Sequence, residues 1–289
     1  MNKKTVFLIS MMTAALLLTG CIFKNPPILG PAFVPEENVT VERLFEAATA
    51  KCQTANTISQ KETMELEMEI SLMGQKISMS ISADVAVDSQ GENHHVLTTV
   101  NAAAYGTTQK QTLEIYAVPG DIDGKVVVYQ NAGTGWTKES TDQPPVNINK
   151  AESILTPELA AKMTLQPETA QFNGKECHVV TGKVGWEDIN AYADLSQLTD
   201  AMGEGVELDL SDIYFEVLYY FAADDLSLQG TSMEGTDAIS EVFERLMNAV
   251  AGMEIDMEIS AFSAVATTDY DVIDEVTVPE EVLNEAGGA

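Results

Sequence analysis

Few residues in this chain have the types and spacing that chemistry needs. Its three histidines are His94, His95 and His178. His94 and His95 are adjacent on a predicted strand, so their side chains point to opposite faces and cannot share a metal ion. Cys177-His178 fails for the same reason. There is no His-Glu-x-x-His helix, no Ser-x-x-Lys pair and no phosphate-cradling glycine loop; Gly230-Thr231-Ser232-Met233-Glu234 lacks the closing glycine of a nucleophile elbow. Asp121-Ile122-Asp123-Gly124 is a fragment of a calcium loop without the remaining spaced oxygens and distal Glu. Asp224-Asp225 reads as a hairpin turn. Among the many acids nothing picks out a catalytic carboxylate pair. The expectation is a protein that is not an enzyme, with no catalytic residue, no metal and no cofactor.

One residue does stand where a covalent modification belongs. Lys3 and Lys4 precede an apolar run from Thr5 to Leu17, and Leu18-Thr19-Gly20 leads into Cys21. The run is short for a permanent span, the lysines hold the N-terminus on the cytoplasmic side, and small residues precede the cysteine. The arrangement resembles the lipobox of bacterial lipoproteins. It implies a signal peptide over 1–20, cleavage before Cys21, diacylglyceryl attachment and fatty acylation of the palmitate class there, and a domain held on the extracytoplasmic face of a membrane in the cell envelope. Two acyl chains anchor stably where one is marginal.

Residues 21–38 read as a tether. Ile22 to Glu37 carries Pro26, Pro27, Pro31 and Pro35 with no helical or strand period. At about 3.1 Å per residue it spans roughly 50 Å, well beyond the ~8 Å Debye length of physiological salt. The formal charge is −30. Losing Lys3 and Lys4 with residues 1–20, and no acids, takes it from −30 to −32. So acidic a chain repels nucleic acid and anionic headgroups. The tether holds the domain clear of that repulsion.

The remainder, 39–289, is expected to be one domain. Val41 to Gln53 is a predicted helix with Thr40 as N-cap and Leu44, Phe45, Ala48 and Cys52 on one face. The period then changes to two. Met64, Leu66, Met68, Ile70 and Leu72 alternate with Glu65, Glu67, Glu69 and Ser71. After a turn at Met73 to Lys76, Ile77, Met79, Ile81, Ala83, Val85 and Val87 carry the dry face onto a second strand. Further strands are predicted at His95 to Tyr105, Gln111 to Val118, Lys125 to Gln130, Trp136 to Glu139, Lys175 to Val184, Ile213 to Ala222, Leu226 to Met233 and Met253 to Thr268. Helices are predicted within Pro157 to Met163, at about Trp186 to Met202 and at Thr236 to Val250. Met64 to Ser71 is echoed at Met253 to Ser260, read as one half-buried strand solution reached twice. Cys52 and Cys177 are compatible with a disulfide, as exported proteins allow, and equally with two buried thiols. The fold class is α+β: a large curved antiparallel sheet, a half-barrel, with helices packed on its concave face.

Asp123-Gly124-Lys125-Val126-Val127-Val128-Tyr129 followed by Gly135-Trp136-Thr137-Lys138, and Asn173-Gly174-Lys175-Glu176-Cys177-His178-Val179-Val180-Thr181-Gly182, together with the first helix and hairpin, give the chain a further likeness. Over about residues 40–285 it resembles lipoproteins related to the LolA and LppX lipid carriers. The resemblance implies a half-barrel wrapped around helices, with an apolar hollow that in some relatives takes acyl chains. The helix at Thr236 to Val250 departs from the simplest members and could fill that hollow. These relatives use a lining rather than a motif.

Two functions follow. The first is a tethered carrier or sensor of a lipid or other hydrophobic ligand, lined by Met64, Leu66, Met68, Ile70, Met79 and Ile81. Methionine suits irregular apolar guests, and each buried methylene contributes about 0.8 kcal/mol. The same residues serve equally as ordinary core. The second is an envelope structural or protein-interaction module with a closed core and no small-molecule ligand.

Overall fold

A computed structural model describes residues 39–72, 75–121, 124–142, 156–185, 209–251 and 256–287. Helix α1 (Val41–Thr54) comes first. Thr40 caps it: its Oγ1 accepts from the Arg43 backbone N–H at 3.3 Å, satisfying one of the orphan donors of a helix start. Leu44, Phe45, Ala48 and Cys52 are buried, as their helical spacing requires.

Strands β1 (Ile58–Leu72) and β2 (Gln75–Gln90) form the predicted long hairpin. β3 (Asn93–Ala104), β4 (Thr107–Pro119), β5 (Val126–Asn131) and β6 (Trp136–Thr141) continue as a meander. A single-turn helix α2 (Pro157–Ala160) precedes β7 (Met163–Phe172) and β8 (Lys175–Gly185). β9 (Tyr214–Ala222) and β10 (Leu228–Glu234) lead to α3 (Thr236–Ala251), β11 (Asp256–Tyr270) and α4 (Glu280–Gly287). The eleven strands among the described residues lie in one antiparallel sheet, in the order β6-β5-β4-β3-β2-β1-β11-β10-β9-β8-β7. The last strand in sequence therefore closes onto the first. The sheet stays open, with β6 and β7 at its two edges, and the fold is the expected α+β half-barrel.

The first copy of the echoed segment lies on β1 and the described part of the second, Asp256 to Ser260, opens its neighbour β11, running antiparallel with Met68 opposite Ile259; Met253 to Ile255 lie outside the described residues. Register slips by one between Glu67 and Met68. Opposite that slip, Ser260 is exposed and Ala261 half-buried, so both turn outward. The bulge switches the inward set of β11 from Ile259 to Phe262, Ala264, Ala266 and Thr268, all buried.

Helices α1 and α3 cover the inner face over β1 and β8 to β11. Phe45 sits 5.7 Å from the rings of both Tyr219 and Phe221. Ile239, Val242 and Phe243 of α3 join Phe215 and Phe262 in the same buried cluster. Burying each large side chain contributes about 1.5–3 kcal/mol. Thr236 ties α3 to the sheet, its Oγ1 accepting from the Phe262 backbone N–H at 3.0 Å. Arg245 on α3 grips Asp212 through both guanidinium nitrogens, at 2.6 and 2.8 Å.

Two elements were not anticipated. β7 forms one edge of the sheet. α4 packs on the outer face, not the concave one: Val282 and Ala286 cover Tyr116 and Tyr129, and Glu285 accepts from the Trp136 backbone N–H at 3.2 Å. The helix predicted at Trp186 to Met202 lies outside the described residues.

Candidate functional site

The expected apolar lining occupies one side of the β1–β2 hairpin. Met64, Leu66, Met68 and Ile81 are 2, 6, 5 and 2 % exposed, and Met79 is half-buried against the same cluster. Register pairs Leu66 with Ile81 and Met68 with Met79 across the two strands. Ile70 pairs with Ile77; its side chain lies outside those described. The candidate residues are thus contiguous, on the face that also carries Leu44, Phe45, Ile239 and Phe243. The chain's own helices lie over that face.

The opposite side of the hairpin is polar. Glu65 and Glu67 are exposed, and so are Ser78, Ser80 and Asp84. Lys76 and Glu69 form an ion pair there, and Glu69 stands directly opposite Glu258 on β11. A hollow of about 570 Å³ opens at this end of the sheet, walled by Glu67, Glu69, Ser80 and Glu258 together with Met68 and Met79. Its size is that of a small-molecule site. Most of its wall belongs to the outward set, so it opens on the acidic side.

Sequence reading missed a polar strip on the inner face. β1 begins at Ile58 rather than Thr63, and the inward alternation runs back through Glu62 and Gln60, 6 and 7 % exposed. Thr231, Gln229 and Thr268 are inward too, at about 1 % exposure or less. Gln60 Nε2 donates to Thr268 Oγ1 at 3.5 Å, and Gln229 Nε2 to Ser227 Oγ at 2.7 Å. The signal was available: positions 58, 60 and 62 are in phase with Met64, but polar side chains at two of them hid the strand.

The histidines fall on opposite faces as expected. His94 is buried, with its Nδ1 3.0 Å from Ser89 Oγ, and burial pushes its imidazole down to about 4. His95 is outward. Its Nε2 lies 3.0 Å from Glu114, and its ring stacks on Tyr116 at 4.3 Å. Burial, then the charge of Glu114, pushes the Tyr116 hydroxyl up to about 12. Both described cysteines are buried free thiols. The Cys52 thiol sits 3.4 Å from the Tyr270 hydroxyl, and burial raises the Cys177 thiol. The Asp225 carboxylate accepts from the Ser227 backbone N–H at 3.0 Å and shapes the β9–β10 turn. Asp123 lies outside the described residues and Cys21 does too. Among the described residues no group of three or more His, Cys, Asp or Glu side chains could hold a metal ion, and no helix is long and apolar enough to cross a membrane.

No family model matches the chain, and no curated protein matches it. Solved structures do. LprF from Mycobacterium bovis is similar at 10 % identity and a TM-score of 0.41, over 83 % of this chain and 96 % of that one. The Mycobacterium tuberculosis lipoprotein LppX is similar at 12 % identity and a TM-score of 0.39, over 82 % and 98 %. A DUF1329 family protein from Desulfovibrio piger follows at 11 % identity and a TM-score of 0.20.

Proposed function

We propose that this chain is an extracytoplasmic lipoprotein, anchored through Cys21, whose inner sheet face holds a lipid or other hydrophobic guest as carrier or sensor. On this reading residues 1–20 are removed, 21–38 form the tether, and 39–289 are the binding domain. The observation that carries it is the inner face itself. An open sheet presents Met64, Leu66, Met68 and Ile81 as one apolar wall, and separate helical segments, not a second sheet, cover it. Helices α1 and α3 can part from such a wall without breaking its ladder. A guest that replaces their contacts recovers about 0.8 kcal/mol per buried methylene. Native mass spectrometry of the protein released from its own membranes checks this. The expected result is a discrete added mass that organic extraction removes; repeated preparations without one would end the proposal. Replacing Cys21 by Ser should move the protein from the membrane to the soluble fraction, and continued membrane residence would overturn the anchor.

A second reading has a specific observation behind it. The candidate lining residues are nearly inaccessible under the chain's own helices, while the hollow near Glu67, Glu69 and Glu258 opens outward. A closed core with an acidic exterior suits an envelope module that binds a protein partner. Crosslinking on intact cells then recovers one defined partner, and absence of any under several chemistries argues against it.

A further inference from the structure

Near the tip of the β1–β2 hairpin, the outward positions of four adjacent strands differ in size and charge. Register sets Glu258 of β11 directly opposite Glu69 of β1, and Glu69 opposite Ser78 of β2. The next outward row runs from Glu67 of β1 through Ser80 of β2 to Ala103 of β3. Long acidic side chains therefore stand on β1 and β11, and short ones on β2 and β3. That step leaves the hollow of about 570 Å³, which Ala104, Gly106 and Ser260 also line. The bulge in β11 borders it, turning Ser260 outward, and the Ser260 Oγ donates to the Glu67 carbonyl oxygen at 3.3 Å.

The two ends of the hollow are unlike. At the β1–β11 end, Glu69 and Glu258 are like charges face to face, which destabilises a sheet. Lys76 pairs with Glu69. Glu67 and Glu258 are exposed, and among the described residues no cation pairs with either. These acids do not converge as a metal ion requires, so the cation that complements them is an organic one. At the β3 end the wall is Ala103, Ala104 and Gly106, without charge. Tyr105 stands between the last two, 75 % exposed and with φ 53°. With Gly106 it forms the two-residue turn joining Ala104 to Thr107, a backbone state that Asn or Gly adopts more readily than a bulky ring. An exposed aromatic side chain thus marks the uncharged end.

We propose that this hollow is a second binding site, on the outer face, for an amphiphilic organic cation. A primary ammonium head lies at Glu67 and Glu258, and a short hydrocarbon body extends over Ala103 and Ala104 toward Tyr105. The head supplies the positive charge that the facing carboxylates lack, and water keeps those exposed carboxylates charged at no desolvation cost. At about 4.8 Å between strands, β11 to β3 spans roughly 14 Å, room for an ammonium group and a chain of about eight carbons. A fatty acid carries the wrong sign for the acidic end. The sheet itself separates this site from the inner wall, so the two are occupied independently.

The test is calorimetric titration of the full protein with n-octylammonium, n-butylammonium and octanoate. Octylammonium should bind about tenfold more tightly than octanoate, by the charge of its head, and also about tenfold more tightly than butylammonium, by the burial of its longer chain. Replacing Glu67 and Glu258 together by Gln removes two ion pairs and should weaken octylammonium about tenfold; both positions are exposed and the change relieves like-charge crowding, so folding is not at risk. Tyr105→Asn suits the turn at least as well as the native residue and should weaken octylammonium about threefold while sparing butylammonium. Equal binding of the two ammonium probes would mean that an acidic surface attracts any cation, and overturns the site. Equal binding of octylammonium and octanoate overturns its charge selection. Unchanged octylammonium binding after the double replacement puts the cation elsewhere and overturns the assignment. The inner-face guest is read separately, by native mass spectrometry of the protein released from membranes, so failure here leaves that reading standing.

Discussion

His94 is the residue whose chemistry the fold alters most plainly. It stands inward on β3 beside Ser89 and opposite Ala117 on β4. Burial there holds its imidazole at about 4, from an ordinary value of 6.5. The unfolded chain therefore binds a proton between pH 6.5 and 4 that the folded chain refuses. The neutral form's stability is complete above pH 6.5 and drains away as pH falls toward 4, by about 3 kcal/mol in all at 1.36 kcal/mol per pH unit. Urea unfolding at pH 7 and pH 4.5 checks this. His94→Gln should flatten that part of the acid loss by about 2–3 kcal/mol relative to the unaltered protein; identical pH dependence would mean the site is not closed to charge. Glu62 makes a related point. Its acidic type suggested solvent, yet strand phase placed it inside. Residue type alone misleads where strand phase carries a polar side chain to the inner face.

At the scale of elements, legibility followed periodicity. The β1–β2 hairpin was readable because its apolar positions alternate without a gap from Met64 to Val87, and α1 because its apolar residues keep helical spacing behind the Thr40 cap. β7 was not, since Met163 to Phe172 is an edge strand with Pro167 inside it, so neither alternation nor propensity marks it. α4 spans eight residues, too few for a helical period to stand out, and its burial on Tyr116 and Tyr129 is a tertiary fact. The phase change in β11 became intelligible only with the bulge at Ser260. Two measurements belong here. Thr40→Ala should cost about 1 kcal/mol in urea unfolding, and no loss would mean the cap contributes nothing. Gly230 has φ 152°, and a Cβ there would meet the Ala266 carbonyl oxygen at 2.0 Å and the Phe172 ring at 2.7 Å. β10 and β11 cannot then keep their spacing, so Gly230→Ala should cost more than about 2 kcal/mol. A variant as stable as the parent would show that the ladder adjusts.

At the scale of the whole molecule, an open eleven-stranded sheet has two faces of opposite character. The outer one is acidic over the hairpin and covered by α4 near β6. The inner one is mostly apolar, with buried polar side chains at Gln60, Glu62, Thr231 and Thr268 and at Ser89 and His94, and is roofed by α1 and α3. The fold class and the residues of the apolar wall were legible because they depend on alternation, whereas the polar strip was hidden because it depends on where strands begin and how they register. The central claim is that a guest lies on the inner face. A palmitoyl chain carrying a diazirine, photoactivated on the purified protein and followed by peptide mapping, reads that face directly. Adducts should fall on Met64, Leu66, Met68 and Ile81. Adducts confined to the outer positions around Glu67, Ser80 and Glu258 would place the guest across the wall and refute the claim.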